Sequence, residues 1–566
     1  MIRPSIVVLL LCLSCVACTA PPATPPTPVT LAVVNARVWT GDPGKPEAEA
    51  IAVNGDRIVA VGSNDEVRKL TAGVTPIDAH GQMLTPGFID SHVHFIEGGF
   101  RLASVQLRDA KTPEEFTQRI RDFAATVVPG TWIMGGDWDH ERWGGELPRR
   151  DWIDEATPNH PVWVNRLDGH MSLANSLALK AAGVTRATKD VRGGTIVRDK
   201  NGDPTGILKD NAGGLVDRVV PPPTNEMTDR ALAAAMRYVA EQGVTSAHNM
   251  GSWDDLATFA RARKSGTLKT RLYAVVPLAT WERLRDTVAK KEYGPDGHGD
   301  EWLRVGGLKS FVDGSLGSHT AAFEEPFTDA PKDRGLFVNT PEDLYTWISG
   351  ADRAGLNVMV HAIGDRANKT ILDIYERVEK ENGPRDRRFR IEHAQHLAAS
   401  DIPRFAGLGV IPSMQPYHAI DDGRWAVKVI GPERIKTTYA FRSLLDAHAR
   451  LAFGSDWFVA PPMPLEGIYA AVTRRTLDDR NPGGWVPEQK ILVDEALRAY
   501  TAAAAYASFD EDRKGALTPG RLADFVLIDR DLRTIPLEEI RTCKVTMTVV
   551  GGRIVYERSA SSAGAN

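Results

Sequence analysis

Between residues 86 and 505 the chain alternates short β-branched apolar runs with helix-like stretches, and this alternation limits the possible folds more than any other feature. Eight runs stand out, at 85–94, 244–250, 272–276, 308–313, 358–362, 389–394, 410–415 and 451–456. Such alternation argues for a parallel sheet covered by helices. Eight units of it predict a (β/α)8 TIM barrel, an α/β fold. The first two runs are separated by 95–242, a stretch of 148 residues. Without it the barrel region is close to the roughly 250 residues typical of this fold. The stretch 95–242 is therefore an insertion after barrel strand 1, with strands of its own around 132–138 and 162–166.

Both chain ends differ from this middle. Residues 30–85 carry short β-branched runs broken by turn signals, with Asn54-Gly55-Asp56 as a hairpin cue. Residues 506–566 repeat the pattern at 523–528 and 545–556. The two ends read as halves of one flanking β-sandwich domain, with the barrel of 86–505 grown out between them. The Gly-Gly pairs at 135, 193, 213, 306, 483 and 551 read as turns, and none belongs to a complete phosphate-cradling motif.

Ahead of the body, Arg3, the apolar run 6–13 and the small residues 14–20 have the layout of a secretory signal peptide over 1–20. The run is shorter than the roughly 20 apolar residues needed to cross a bilayer. Val16-Ala17-Cys18 resembles a bacterial lipoprotein box, so lipidation at Cys18 stands beside cleavage after Ala20. Residues 21–29 form a Pro-rich, extended spacer. The expectation is an exported bacterial protein, periplasmic or anchored to a membrane through a lipid on Cys18. Cys12, Cys15 and Cys18 belong to this segment, which leaves Cys543 alone in the body and excludes a disulfide scaffold. With 68 basic and 73 acidic residues the formal net charge is −5, so nucleic acid is not an expected partner.

Five of the eight runs carry an ionisable residue, in most cases at or near their C-terminal ends, where barrel enzymes place their chemistry. His92 and His94 end the first run, Lys309 lies in the fourth, His361 ends the fifth, and His393 and Asp456 fall at the sixth and eighth. Residues i and i+2 of a strand face the same way, so His92 and His94 can share one ion. Neutral imidazole is the commonest ligand of zinc and its neighbours. An isolated His-x-His is more often a solvated or hydrogen-bonded pair, so the argument rests on the whole set. Lys309 lies in a strand apolar on both faces. Its ordinary reading is a salt bridge to Asp313 or another carboxylate, and its functional reading is an amine of depressed pKa that acts as ligand or nucleophile. Gly454 and Ala452 share the face of Asp456 and leave room for a metal and a substrate.

The motifs Pro86-Gly87-Phe88-Ile89-Asp90-Ser91-His92-Val93-His94, Asp168-Gly169-His170, Lys309-Ser310-Phe311-Val312-Asp313-Gly314, His361-Ala362-Ile363-Gly364-Asp365, Ile391-Glu392-His393-Ala394-Gln395 and Gly454-Ser455-Asp456 together resemble the amidohydrolase superfamily of metal-dependent hydrolases. Within it the chain is similar to the group of YtcJ and N-substituted formamide deformylase. The resemblance covers nearly the whole mature chain. It implies one or two divalent metals, usually zinc. At the matching positions His92 and His94 would hold the first ion, completed by Asp456, and His361 and His393 the second. Lys309 matches the lysine that in two-metal members is carboxylated and bridges both ions. His319 stands where relatives often carry Arg, and Asn249 where an acidic residue is common.

The implied activity is hydrolysis of an amide-like, non-peptide C–N bond in a small molecule by metal-activated water, with Asp456 as general base. Asp90 and Glu392 are candidates to orient the ligands. The insertion is expected to cover the barrel mouth, and Trp138, Asp139, Asp168, His170 and Gln415 are candidate substrate contacts. His418 is an even choice between site and scaffold, while His80, His140, His160, His298, His396 and His448 are expected to be solvated. Two alternatives remain: a one-metal deaminase or esterase-type hydrolase in which Lys309 stays an ordinary amine, and a non-catalytic regulatory lipoprotein of the same fold.

Overall fold

A computed structural model describes residues 28–559. The signal peptide, Cys18 and nearly all of the spacer lie outside the described residues. Eight parallel strands form one sheet in chain order: β1 (Phe88–Val93), β2 (Val244–Met250), β3 (Arg271–Pro277), β4 (Leu303–Phe311), β5 (Asn357–Ala362), β6 (Arg390–His393), β7 (Ile411–Met414) and β8 (Ala452–Phe453). The sheet closes where the segment after β8 runs beside β1. Val93 bridges Trp457, and Asp456 N–H donates to His92 O at 2.7 Å. All eight expected runs contain a barrel strand, the first starting at Phe88 rather than at 85 because Thr85 and Pro86 pair with the C-terminal part of the chain instead. The fourth starts at Leu303 rather than at 308, because Gly306, expected in a turn, instead bulges out of the β3–β4 ladder between Val305 and Gly307. Its φ of +155° is open to glycine and strained for other residues. Gly135 and Gly136 likewise fall inside a strand, Ile133–Trp138.

Helices cover the barrel with apolar stripes of helical period. Asn225–Glu241 buries Ala231, Leu232, Ala235, Met236 and Val239, and Asp365–Asn382 buries Ala367, Ile371, Leu372, Tyr375 and Val378. They meet the outward residues of the strands in one continuous core, where each fully buried aliphatic or aromatic side chain contributes about 1.5–3 kcal/mol.

The flanking domain is two packed sheets. Leu31–Val34, Ala50–Asn54, Arg57–Gly62 and Ile77–Asp78 form the first, entirely from the N-terminal part. In the second, Met83–Pro86 pairs antiparallel with Phe525–Ile528, so the two chain ends meet within one sheet. The expected hairpin is present: Asn54 pairs with Arg57 around Gly55, at φ +57°.

Within the insertion, six strands form a separate sheet. Val162 and Val164 of one strand face one core, and Trp163 between them faces another, as strand alternation requires. The helices Phe95–Arg101 and Asn225–Glu241, at the two ends of the 95–242 stretch, belong to the barrel core. The inserted module is thus the part between them.

Candidate metal centre

His92, His94, Lys309, His361, His393 and Asp456 all line one cavity of about 450 Å³ between the barrel mouth and the insertion. Asp456 Oδ1 lies 3.3 Å from both His92 Nε2 and His94 Nε2. The His393 ring is centred 5.0 Å from His92 and 4.5 Å from His361. Candidate ligand atoms of His92, His393 and Asp456 lie within 4.8 Å of one another. His393 and Asp456 adopt φ of +74° and +58°. Such values are uncommon outside glycine and cluster at functional sites.

Each buried histidine has one ring nitrogen committed elsewhere. His92 Nδ1 meets Glu392 Oε2 at 2.6 Å, His361 Nε2 meets the Gly314 carbonyl at 3.0 Å, and His393 Nδ1 meets Gln415 Oε1 at 2.8 Å. These partners accept, so each ring must donate there and keep its lone pair on the other nitrogen. Burial holds all three imidazoles well below their ordinary pKa, in the neutral form that metals require. Burial disfavours ionised Asp456, but the hydrogen bond from the His94 ring favours it and holds its carboxyl below the usual carboxylate range.

Lys309 does not make the salt bridge considered for it. Asp313 instead accepts the backbone N–H groups of Ala322, Ile363 and Gly364. Lys309 Nζ is buried, has no hydrogen-bond partner among the described residues, and lies 4.3 Å from the Phe311 ring centroid. Burial lowers its pKa from 10.5 to about 8. Three imidazole lone pairs, a carboxylate and an unpartnered amine form a donor set that fits divalent cations.

Of the supporting residues, Glu392 orients His92, whereas Asp90 does not touch a candidate ligand's side chain. Asp90 instead accepts from Ser455 N, Ser455 Oγ and His92 N, stitching β1 to the segment after β8. Asn249 faces away, accepting from Phe95 N at 2.7 Å. His319 pairs with Asp329 and lines neither cavity described here.

The insertion contributes His170 and Asp168 to the cavity wall. His170 Nδ1 meets Asp210 Oδ1 at 2.7 Å, and its ring is centred 5.0 Å from His361. Burial disfavours its charged form, but the Asp210 hydrogen bond and the Asp210 and Asp168 charges raise its pKa overall. Asp168 binds Arg166 at 2.6 Å and accepts from Ser315 and Ser318 of the loop after β4. The insertion is thereby tied across the mouth.

A smaller cavity, about 50 Å³, opens on the other side of His361, His393 and Asp456, against His418, Asp421, Asp422 and Trp425. His418 belongs to this wall, with a buried Nε2 that has no hydrogen-bond partner.

Three expected substrate contacts lie outside the walls of both cavities. Trp138 is fully buried in the insertion core, its indole N–H on the Val164 carbonyl. Gln415 is fully buried behind His393. Asp139 is buried beside Arg166 and Arg424 and lines neither cavity. His140, His160 and His396, expected in solvent, are buried. Sequence reasoning missed Arg166, Asp210 and Phe458. Only Arg166 gave a local signal, as the last residue of the Val162–Arg166 strand, two residues before Asp168 in the following turn.

The amidohydrolase family matches residues 75–556. Protein LONG AFTER FAR-RED 3 of Arabidopsis thaliana is 42% identical over 541 residues, 93% of this chain and 91% of that one. N-substituted formamide deformylase of Arthrobacter pascens is 29% identical over 560 residues, 94% and 99% of the two chains. The crystal structure of an uncharacterized metal-dependent hydrolase from Pyrococcus horikoshii is similar with a TM-score of 0.73 and 28% identity, covering 90% of this chain and 99% of that one. A match running from the flanking domain through the barrel and back, over the same histidines, lysine and aspartate that converge in the cavity, means that this chain belongs to the amidohydrolase family.

Proposed function

We propose that the protein is an exported two-metal amidohydrolase that cleaves an amide-like, non-peptide C–N bond of a small molecule. The carrying observation is Lys309, a buried amine without a hydrogen-bond partner among the described residues, set among imidazoles that each present one free nitrogen. In this reading His92, His94 and Asp456 would hold one ion, His361 and His393 the other, and Lys309, once carboxylated by carbon dioxide, would contribute carboxylate oxygens to the centre. Similarity to N-substituted formamide deformylase supports the bond type. The N-terminal sequence supports export, through a signal peptide or a lipid on Cys18.

Bound zinc would supply Lewis acidity and a water acidic enough to lose a proton near neutral pH. Asp456 bears the carboxylate that would accept a proton from the attacking water and pass it to the leaving nitrogen. Its backbone N–H on the His92 carbonyl fixes the carboxylate at the mouth. His170, braced by Asp210, and the Asp168–Arg166 pair enclose the substrate from the insertion side. The large cavity, walled in part by Phe311, Phe458 and Trp163, takes the bulkier arm of the substrate, and the small one takes a compact arm.

A one-metal hydrolase is the second reading, favoured by the grouping of His92, His393 and Asp456 within 4.8 Å. Metal analysis of the purified protein separates the two: two ions per chain are expected, and one would replace the first reading by the second. In a screen of N-formyl and N-acyl amines, cyclic amides and esters, amide turnover is expected. Asp456→Asn should lower it by about 10²–10⁴ while the fold persists; an active variant would remove Asp456 as the base.

A further inference from the structure

Beneath the candidate ligands, the barrel interior holds a fully buried guanidinium, Arg390. Arg390 and Glu392 are two apart on β6 and face the same way, into the barrel. Arg390 Nε meets Glu392 Oε1 at 2.8 Å and Nη2 meets Oε2 at 3.0 Å, a two-pronged contact. The same guanidinium reaches three other strands: the Ser91 carbonyl of β1 at 2.6 Å, Ser413 Oγ of β7 at 3.0 Å and His248 Nδ1 of β2 at 3.0 Å. A guanidinium only donates. His248 therefore accepts at Nδ1 and carries its proton on Nε2, a buried atom with no hydrogen-bond partner among the described residues.

A buried ion pair is weak support for stability, because desolvation offsets most of the attraction. Arg390 leaves its strongest mark one residue further along the chain of contacts. Glu392 Oε2, held by the guanidinium, is the atom that accepts the His92 Nδ1–H at 2.6 Å. We infer that Arg390 is a positioning residue for the metal centre: through Glu392 it fixes the ring orientation and tautomer of His92, so that the Nε2 lone pair points at the cation. A lysine at 390 would keep the charge but could not span Glu392, Ser91, Ser413 and His248 at once. The inference rests on the centre binding a divalent cation, not on the number of ions or the substrate.

The test is the zinc dissociation constant, measured by chelator competition, together with the visible spectrum of the cobalt-substituted protein. Glu392→Gln and Arg390→Met should each weaken zinc binding by about 10–100-fold, the usual cost of losing a group that orients a ligand. Because one residue acts through the other, Arg390→Met combined with Glu392→Gln should be no weaker than the worse single variant. All three should change the cobalt spectrum. Circular dichroism checks folding, and if Arg390→Met does not fold, Arg390→Lys takes its place with about a tenfold loss expected. Wild-type zinc affinity in a folded Arg390 variant, or losses that multiply in the double variant, would overturn the inference.

Discussion

Lys309 should cost the metal-free protein stability, and Lys309→Met measures that cost. Burial lowers its pKa from 10.5 to about 8, and the ammonium has no acceptor. At 1.36 kcal/mol per pH unit this difference amounts to about 3 kcal/mol. The folded pKa lies below the unfolded one, so the folded state binds fewer protons between about pH 8 and 10.5. The penalty is therefore complete below about pH 8 and fades as pH rises towards 10.5. Methionine has a similar length and no charge to desolvate. Metal-free, bicarbonate-free Lys309→Met should be more stable than wild type by about 3 kcal/mol at pH 7, with the gain largely gone near pH 10.5. Denaturant midpoints at the two pH values provide the assay. The same substitution should lower bound metal from two ions to one, so a stabilising change removes function. A variant no more stable than wild type at pH 7, or a gain independent of pH, would refute the reasoning.

Other substitutions probe the surroundings. A Cβ on Gly317 would lie 2.4 Å from Arg166 Nη1 and 2.5 Å from its Cζ. Arg166 is held by Asp168, so Gly317→Ala should destabilise by about 1–3 kcal/mol and lower kcat/KM by loosening the insertion, as read from denaturation and steady-state kinetics. Gln415→Ala removes the acceptor of His393 Nδ1–H and should weaken metal binding by at least about tenfold in chelator competition. Trp138→Phe should cost about 1–3 kcal/mol of stability and leave KM unchanged. A raised KM would return Trp138 to the substrate pocket.

Much of the centre was legible because its residues lie at the ends of apolar runs. Strand alternation orients His92 with His94, and the barrel places the ends of all its strands on one face. Trp138 and Gln415, expected as substrate contacts, lie outside the cavity walls for a related reason. Sequence proximity to the mouth does not reveal whether a side chain points into the cavity or behind a ligand. Trp138 packs in the insertion core outside the cavity wall, and Gln415 supports His393 from the rear. The paired glycines at 135 and 306 show a similar limit, since a bulge and a turn both require backbone that glycine tolerates.

The sequence by itself determined the barrel, its order of strands, the joining of the chain ends and the identity of the six candidate ligands, because hydrophobic period and residue type are local properties. Only the tertiary structure decided which imidazole nitrogen is free, that Lys309 has no hydrogen-bond partner among the described residues, and that Arg390, Glu392 and His92 form one connected support. Those facts depend on contacts between residues as far apart as His92 and Glu392 or His170 and Asp210. Hydrogen bonding in a buried site is set by the strand on the other side of the barrel or sheet, and no local pattern encodes that neighbour.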